Sequence, residues 1–306
     1  MEGISNQAVL NAAFVLLVGI YFAWSTETAF LTVRRISKML PITLAWVALT
    51  GVGIVVAMKP IGPGGMEWSN LVGVIIAMTL AHWGQWFIND ITDKEIDKES
   101  NADRATTQGL ISEREAIAVG VTLMGFAVAY GATVNYLGFL STLAWVLAAM
   151  VYTVPPIRLK NGAISSLLCF GIGGFLSVIL GSAAVGTSLS ADAWQIATVL
   201  ALVIILTISY QDLKDAEHDA KAGVDNLVVR YGKDRLTRIL VVALPSTFVL
   251  TPILFGVYYV VPFFAVLGGF GSYILWSWDG GEATDRAVTV INAVFFVSFA
   301  VAFYLS

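Results

Sequence analysis

Cysteine, histidine and charged residues are all scarce in this chain of 306 residues. The single cysteine, Cys169, permits neither an internal disulfide nor a cysteine metal site. Charged residues make up 12% of the sequence, about half the share usual in soluble domains. The formal net charge of −4 lacks the basic excess that nucleic-acid-binding proteins carry. These shortages exclude a disulfide-stabilised scaffold, a cysteine-ligated metal protein and a nucleic-acid-binding protein.

Hydrophobic residues, by contrast, account for 58% of the chain, and its mean hydropathy is +0.81. A soluble fold of this size has too little interior to bury so much apolar surface, so the surrounding solvent must be lipid. A spanning helix needs about 20 mostly apolar residues. The sequence therefore predicts an all-α polytopic membrane protein with ten spans, near residues 8–31, 40–58, 68–89, 116–133, 137–154, 164–186, 193–211, 238–257, 260–277 and 288–305.

Lysine and arginine residues are unevenly distributed over the loops between these spans. With ten spans, 16 of the 17 basic residues fall on one side of the membrane, and only Lys59 falls on the other. Loops rich in lysine and arginine face the cytoplasm in membrane proteins. We therefore expect a multi-pass protein of the cell membrane, with its N-terminus outside and its basic loops in the cytoplasm.

Acidic residues cluster in two segments, each beginning where a predicted span reaches the cytoplasmic side. Residues 90–115 and 212–234 together contain 14 of the 21 acidic residues. Within them, residues 89–97 align without a gap with residues 211–219, and all four carboxylates of each segment coincide. This match indicates an internal repeat.

Helical geometry places most of these carboxylates on one face. At about 100° per residue, three aspartates of each segment share a narrow stripe, whereas Glu95 and Glu217 point away. Like charges this close repel each other unless a cation neutralises them, and oxygen ligands without cysteine or histidine indicate Mg²⁺. Two ions could bridge a diphosphate between the stripes; for either segment alone, a solvated acidic helix end is the alternative. The predicted metal ligands are Asn89, Asp90, Asp93, Asp97, Asp212, Asp215 and Asp219.

The two segments resemble the motifs of the UbiA superfamily of intramembrane prenyltransferases, N-D-x-x-D-x-x-x-D and a second aspartate-rich motif. Residues 89–97 match the first motif and residues 212–219 match the second, while residues 152–160, a tyrosine followed by prolines and basic residues, resemble a further family segment. The resemblance implies nine UbiA-type transmembrane helices with cytoplasmic cap loops in a domain of residues 34–306. Residues 1–33 would then form an extra N-terminal transmembrane helix.

Members of that family transfer an isoprenyl group from a prenyl diphosphate to an acceptor, so the resemblance implies a Mg²⁺-dependent prenyltransferase. Ionisation of the donor produces an allylic cation and a diphosphate anion, which need an aromatic wall and positive charges. Tyr152, Asp93 and Asp215 are the predicted catalytic residues, although Tyr152 could instead be an interfacial belt tyrosine. The predicted diphosphate-binding residues, which could instead only mark the cytoplasmic side, are Lys94, Arg104, Arg158, Lys160 and Lys214.

The acceptor and the reaction class are less determined by the sequence. The resemblance implies a small lipophilic or amphiphilic acceptor, with a quinone precursor or an ether-lipid glycerol phosphate favoured, and it leaves the oligomeric state open. A terpene cyclase on the same scaffold, needing no acceptor, is the first alternative. An ion or lipid transporter is disfavoured because no predicted span carries an ionisable residue suited to coupling at its centre. His82 and His218 are candidates for proton transfer, but a packed or solvent-facing histidine is the more common arrangement.

Overall fold

The computed structural model describes residues 6–24, 26–94, 111–214, 216, 220, 223–277 and 282–306. Over these residues the chain forms eleven α-helices and no extended strand. Short 3₁₀ helices follow four of the loops or helix ends, at Pro63–Gly65, Leu159–Asn161, Ile208–Leu213 and Tyr258–Val260. The α-helices are α1 (Asn6–Trp24), α2 (Thr26–Met58), α3 (Trp68–Thr92), α4 (Glu113–Val134), α5 (Tyr136–Thr153), α6 (Ala163–Ala183), α7 (Ala191–Thr207), α8 (Leu227–Tyr231), α9 (Lys233–Leu254), α10 (Val261–Trp276) and α11 (Glu282–Leu305).

Nine helical segments of the described chain are long and apolar enough to cross a membrane. They confirm the last nine of the ten predicted spans, and the bounds of eight of these agree with the prediction to within about five residues. The first predicted span, over residues 8–31, overlaps α1 and the start of α2, and its crossing of the membrane stays a prediction. Helix α1 covers Asn6–Trp24 and α2 covers Thr26–Met58, and Ser25 between them lies outside the described residues.

Helix α2 is longer than the predicted span 40–58 because it runs through Pro41. A proline removes one backbone hydrogen bond, but membrane helices tolerate this where neighbouring helices support the chain. Helix α1 is a shorter apolar helix that packs along the bundle, and its Tyr21 hydroxyl bonds to Thr32 of α2 at 2.9 Å. Its Gln7 donates to the Ser69 carbonyl oxygen at 2.9 Å, and Asn11 accepts from the Tyr130 hydroxyl at 2.5 Å. Polar contacts of this kind fix α1 against α3 and α4, where lipid cannot supply hydrogen bonds.

The described residues form three hydrophobic clusters, the smallest around Met39 and Phe87, and the two larger ones make up most of the core. One is built from the first half of the chain, chiefly α3 and α4, and the other from α7 and α9 to α11. Helices α2 and α6 contribute to both clusters, and the Trp46 side chain of α2 packs against both. The space between the two clusters is therefore bounded by α2 and α6.

Helices α2 and α6 approach each other closely at two glycines. A Cβ atom on Gly181 would lie 1.8 Å from the Thr50 carbonyl oxygen, and one on Gly53 would lie 1.9 Å from the Val178 carbonyl oxygen. Ser182 Oγ donates to the Gly53 carbonyl oxygen at 3.2 Å across the same contact. Small residues allow this backbone approach, which replaces the hydrophobic effect as the source of packing energy in lipid.

We expect Gly53→Val to separate α2 from α6 and to lower the free energy of unfolding by about 3 kcal/mol. Gly51→Val on the same helix is the matched control, because a Cβ atom there meets nothing within 4 Å. Unfolding of both variants in detergent, followed by circular dichroism, measures the difference. Equal losses of unfolding free energy in the two variants would contradict a close packing of α2 against α6 at Gly53.

Candidate active site

A cavity of about 310 Å³ lies between the two core clusters, at the end of the bundle where α3 and α5 end. Both acidic motifs contribute to its wall: Asn89 and Asp93 from the first, Gln211 and Asp212 from the second. The repeat therefore brings its two copies to one site from different halves of the fold. The described charged residues on the wall are two carboxylates and three cations, namely Asp93, Asp212, Arg158, Lys160 and Lys214.

Asp93 is the most heavily bonded of these carboxylates. It caps the C-terminus of α3, where its backbone N–H donates to the Asn89 carbonyl oxygen at 2.9 Å. Its Oδ1 accepts from both the Arg158 guanidinium, at 2.5 Å, and the Lys160 ammonium. Its Oδ2 accepts from Asn89 Nδ2 at 2.8 Å, and Asn89 Oδ1 accepts from Lys160 at 2.9 Å. Two cations thus share a single carboxylate and its neighbouring amide.

The two cations are presented by the turn between α5 and α6. Arg158 has a φ of 40°, a left-handed conformation that costs energy in a non-glycine residue, and it begins the 3₁₀ helix Leu159–Asn161. Its side chain is mostly buried, and its Nε–H has no acceptor among the described residues. A buried guanidinium donor without an acceptor is a place where an anion can gain a hydrogen bond.

The same turn is joined to the loop after the second motif. The Asp225 backbone N–H donates to the Asn161 carbonyl oxygen at 3.1 Å, and Gly162 pairs with Asp225 in an isolated parallel bridge. Arg230 forms an ion pair with the Asp225 side chain, and its hydrogen bonds lower the pKa of that carboxyl group. This connection holds the cation-bearing turn next to the second motif.

The second motif departs from the predicted α-helical continuation. Helix α7 ends at Thr207, and residues Ile208–Leu213 form a 3₁₀ helix that carries Gln211 and Asp212 into the cavity wall. Lys214 follows and also lines the cavity, where its Nζ donates to Asp285 of α11 at 3.0 Å. The tighter 3₁₀ winding changes the angle between successive side chains, so the predicted 100° stripe does not apply here.

Asp90 does not share the stripe of Asp93, contrary to the sequence prediction. Its carboxylate is held by Arg35 of α2, with Arg35 Nε at 2.7 Å from Oδ2, and it is absent from the cavity wall. Lys94 is also directed elsewhere, because its ammonium pairs with Glu113 at the start of α4 at 2.7 Å. The remaining predicted residues, Asp97, Arg104, Asp215, Asp219 and His218, lie outside the described residues.

Tyr152 lines the cavity at the end of α5. Its ring makes an edge-to-face contact with Phe170, with centroids 5.3 Å apart. The ring is therefore fixed beside the charged cluster. Its position fits a wall for a cation more closely than a residue of an interfacial belt.

Further from the charged residues, the wall is aromatic and contains His82. The indole N–H of Trp86 donates to His82 Nε2 at 2.8 Å, so that nitrogen carries no proton and Nδ1–H is left to bond Thr43 Oγ1 at 3.0 Å. Both ring nitrogens are occupied, and the side chain is 2% exposed. His82 is thus a packed, hydrogen-bonded histidine.

Oxygen atoms are the only strong metal-ligating atoms contributed by the motif residues on this wall, which fits a hard cation such as Mg²⁺. Asp93, Asp212 and Asn89 of the described wall supply two carboxylates and one amide oxygen from the two motifs. Mg²⁺ usually binds one or two carboxylates and completes its shell with water and phosphate oxygens. Among the described residues no group of three acidic, histidine or cysteine side chains is close enough to bind a metal ion without such help.

The sequence also matches a known family. The model of the UbiA prenyltransferase family covers residues 44–300. The chain belongs to this family. It is 30% identical over 225 residues to the digeranylgeranylglyceryl phosphate synthase of Halobacterium salinarum, an alignment that covers 72% of this chain and 78% of the relative. It is 26% identical over 181 residues to the bacteriochlorophyll synthase 33 kDa chain of Rhodobacter capsulatus, covering 56% and 60% of the two chains.

A solved structure has the same fold. The UbiA homologue from Archaeoglobus fulgidus bound to GPP and Mg²⁺ superposes with a TM-score of 0.66 over 87% of this chain and 98% of the homologue, at 20% identity. The resemblance found from the two motifs is therefore confirmed, as is the fold of nine membrane helices with a short N-terminal helix. The protein is a UbiA-type prenyltransferase.

The UbiA-type cavity contains several residues that the sequence did not single out. Gln85 lies one turn before Asn89 and donates to Thr153 at 3.1 Å, so helical periodicity could have identified it. Asn226 lines the wall from the loop after the second motif, and Trp46 and Trp145 line its aromatic part. No motif marks the two tryptophans, because aromatic residues are common throughout membrane helices.

We expect Lys214→Met to lower the free energy of unfolding by about 2 kcal/mol, because it removes the lysine partner of a buried carboxylate. The Asp285 side chain is 8% exposed, whereas Glu113, the partner of Lys94, is 54% exposed. Lys94→Met is therefore the control, with an expected loss below about 1 kcal/mol. Thermal unfolding in detergent tests both, and a larger loss in the Lys94 variant would contradict the assignment.

Proposed function

We propose that this prenyltransferase carries out Mg²⁺-dependent transfer of an isoprenyl group from a prenyl diphosphate to a membrane-dissolved acceptor. The observation that supports it best is the cluster in which Arg158 and Lys160 share the Asp93 carboxylate. Such a cluster contains a candidate metal ligand and two anion-binding cations within one cavity. Asp212 on the opposite wall supplies a carboxylate from the second motif.

The charged residues fit the leaving group of this reaction. Breaking the donor's C–O bond leaves the electron pair on the diphosphate, which needs positive charge around it. Arg158 and Lys160 would turn from Asp93 to the diphosphate oxygens, using the unpaired Arg158 Nε–H as well. Asn89, Asp93 and Asp212, together with Asp97, Asp215 and Asp219, would hold Mg²⁺, with two ions as the expected number. Bound Mg²⁺ would supply the remaining neutralisation of the diphosphate charge.

The aromatic residues fit the other product of ionisation. The allylic cation would lie beside Tyr152, whose ring is held by Phe170. The acceptor's nucleophilic atom then bonds to the prenyl carbon and releases a proton, so that diphosphate and a prenylated acceptor are the products. An apolar wall around the cation limits capture by water.

The relatives guide the choice of acceptor. The relative from Halobacterium salinarum and another from Thermococcus sibiricus are both named digeranylgeranylglyceryl phosphate synthase. We therefore propose an ether-lipid glycerol phosphate as the first acceptor to test, with a quinone precursor second. The basic loops support an active site facing the cytoplasm and an N-terminus outside the cell, with residues 1–33 as an added helix and residues 34–306 as the prenyltransferase domain.

The direct experiment incubates purified protein in liposomes with Mg²⁺, radiolabelled geranylgeranyl diphosphate and either geranylgeranylglyceryl phosphate or a hydroxybenzoate. We expect a prenylated acceptor from the wild type and a loss of at least about 100-fold in Asp93→Asn, which removes charge that the metal needs. Lys94→Met is the matched control on the same segment and should keep its rate. Full turnover by the Asp93 variant would refute the metal assignment.

Incubation with the prenyl diphosphate alone separates the transferase from the terpene cyclase. A transferase without its acceptor should release little diphosphate. Rapid release of diphosphate together with a cyclic hydrocarbon, detected by mass spectrometry, would refute the transferase proposal.

Two substitutions at Tyr152 test the role of its ring. Tyr152→Phe keeps the aromatic face and should retain most of kcat. Tyr152→Leu removes the cation–π stabilisation and should lower kcat by roughly 10- to 30-fold. The measurement is transfer at saturating donor with Mg²⁺. An equal loss in both variants would instead assign the role to the hydroxyl.

A further inference from the structure

Asp90 belongs to the first acidic motif, yet it faces a different partner from its neighbours. Its side chain is 4% exposed and is bound through both oxygens by Arg35, which is 10% exposed. A two-point bond between a guanidinium and a carboxylate is the strongest geometry available to this pair. Moving Asp90 to a metal would leave the Arg35 charge buried beside α3 without this counter-ion. The pair therefore favours a role for Asp90 away from the metal.

Arg35 also contacts the aromatic wall of the cavity. Its guanidinium carbon lies 5.0 Å from the ring centroid of Trp86, in a cation–π arrangement. The indole N–H of Trp86 donates to His82, and His82 bonds in turn to Thr43 of α2. Thr43 Oγ1 donates to the Met39 carbonyl oxygen at 3.0 Å and accepts from the Trp83 indole at 3.2 Å. A continuous set of contacts thus runs from Asp90 to the cavity wall.

Two members of this set, Trp86 and His82, line the cavity on the same face of α3 as Asn89. Trp86 precedes Asn89 by three residues and His82 precedes it by seven, so the two side chains lie one and two helical turns from Asn89 on the same line. The wall that they form therefore continues directly from the motif residues into the apolar part of the cavity. A prenyl chain whose diphosphate is held at Asn89 and Asp93 would lie against this wall.

We propose that Asp90 is a positioning residue rather than a metal ligand: through Arg35 it fixes the Trp86 and His82 wall against which the prenyl chain binds. This inference rests on the proposed function, because it needs a prenyl diphosphate in the cavity. It separates the first motif into two parts. Asn89 and Asp93 serve the diphosphate end of the donor, and Asp90 serves its hydrocarbon end.

Two probes distinguish the two ends: inorganic diphosphate, which has only the head group, and geranyl S-thiolodiphosphate, a non-hydrolysable donor analogue. Binding of each to the full-length protein in nanodiscs is measured by calorimetry with Mg²⁺. Loss of one partner alone breaks this buried ion pair while the other charge remains, which can unfold the protein. The test variant is therefore the double substitution Arg35→Leu with Asp90→Asn, which removes both charges together. Arg34→Leu, at the exposed neighbouring arginine, is the matched control.

The double variant should bind inorganic diphosphate within about twofold of wild type, and it should bind the geranyl analogue about tenfold more weakly, as a displaced wall predicts. Asp93→Asn should weaken binding of both probes. Trp86→Phe keeps a ring but loses the hydrogen bond to His82, so it should weaken binding of the geranyl analogue and leave binding of inorganic diphosphate unchanged. Arg34→Leu should leave the binding of both probes unchanged.

Equal weakening of both probes in the double variant, with a higher Mg²⁺ requirement like that of Asp93→Asn, would show that Asp90 serves the metal site and would overturn the inference. Unchanged binding of both probes would overturn it as well, because the wall would not need the pair. If the wild type binds neither probe with Mg²⁺, the proposed function is wrong and this inference fails with it. That result differs from a failure confined to the double variant.

Discussion

The sharing of the Asp93 carboxylate by Arg158 and Lys160 is the interaction on which this site depends. Cations at the edge of a membrane domain need a counter-ion, and here the counter-ion stands at the end of α3 while the cations stand on the turn after α5. The bond therefore joins two helix ends that are far apart in sequence. It also keeps both cations mostly buried and oriented into the cavity. Because the Arg158 Nε–H has no acceptor among the described residues, the cluster retains capacity for a hydrogen bond to an anion.

That charged cluster would have no defined position without the packing behind it. In lipid, helices are held by close backbone contact and by interhelical hydrogen bonds more than by the hydrophobic effect. The crossing of α2 and α6 at Gly53 and Gly181 supplies such contact, and it fixes two of the walls between the core clusters. The link from Asn161 to Asp225 then holds the cation-bearing turn beside the second motif. Helix packing sets the cavity width, and the loop contacts set where its charges lie.

The sequence was sufficient for the membrane class, for nine spans and for the family, because hydrophobic length and the repeated aspartates are local signals. It also placed Asn89, Asp93, Arg158 and Lys160 together, since all four adjoin span ends on the same side. It failed where a partner from another helix decides the outcome. The ideal-helix angle grouped Asp90 with Asp93, but Arg35 of α2 binds the Asp90 carboxylate instead. Residues 208–213 of the second motif wind as a 3₁₀ helix, for which the angle of 100° per residue does not hold. The aromatic residues Trp46 and Trp145 had no motif, because their role comes from packing alone.

The two parts of the cavity make opposite physical demands, and the structure separates them along α3. At the motif end, the proposed function requires groups that exchange partners: Arg158 and Lys160 would leave a carboxylate for a phosphate, at little cost because each would remain paired. Along the aromatic wall, polar groups must keep their hydrogen-bond partners. A free donor or acceptor beside an allylic cation would attract water, and a free acceptor could take a proton from the cation. His82 meets this demand, since Trp86 and Thr43 occupy both of its nitrogens. On the proposed function, a histidine two turns from Asn89 would serve the reaction best by remaining chemically inert, and its bonded nitrogens allow a polar side chain to lie in the aromatic part of the cavity.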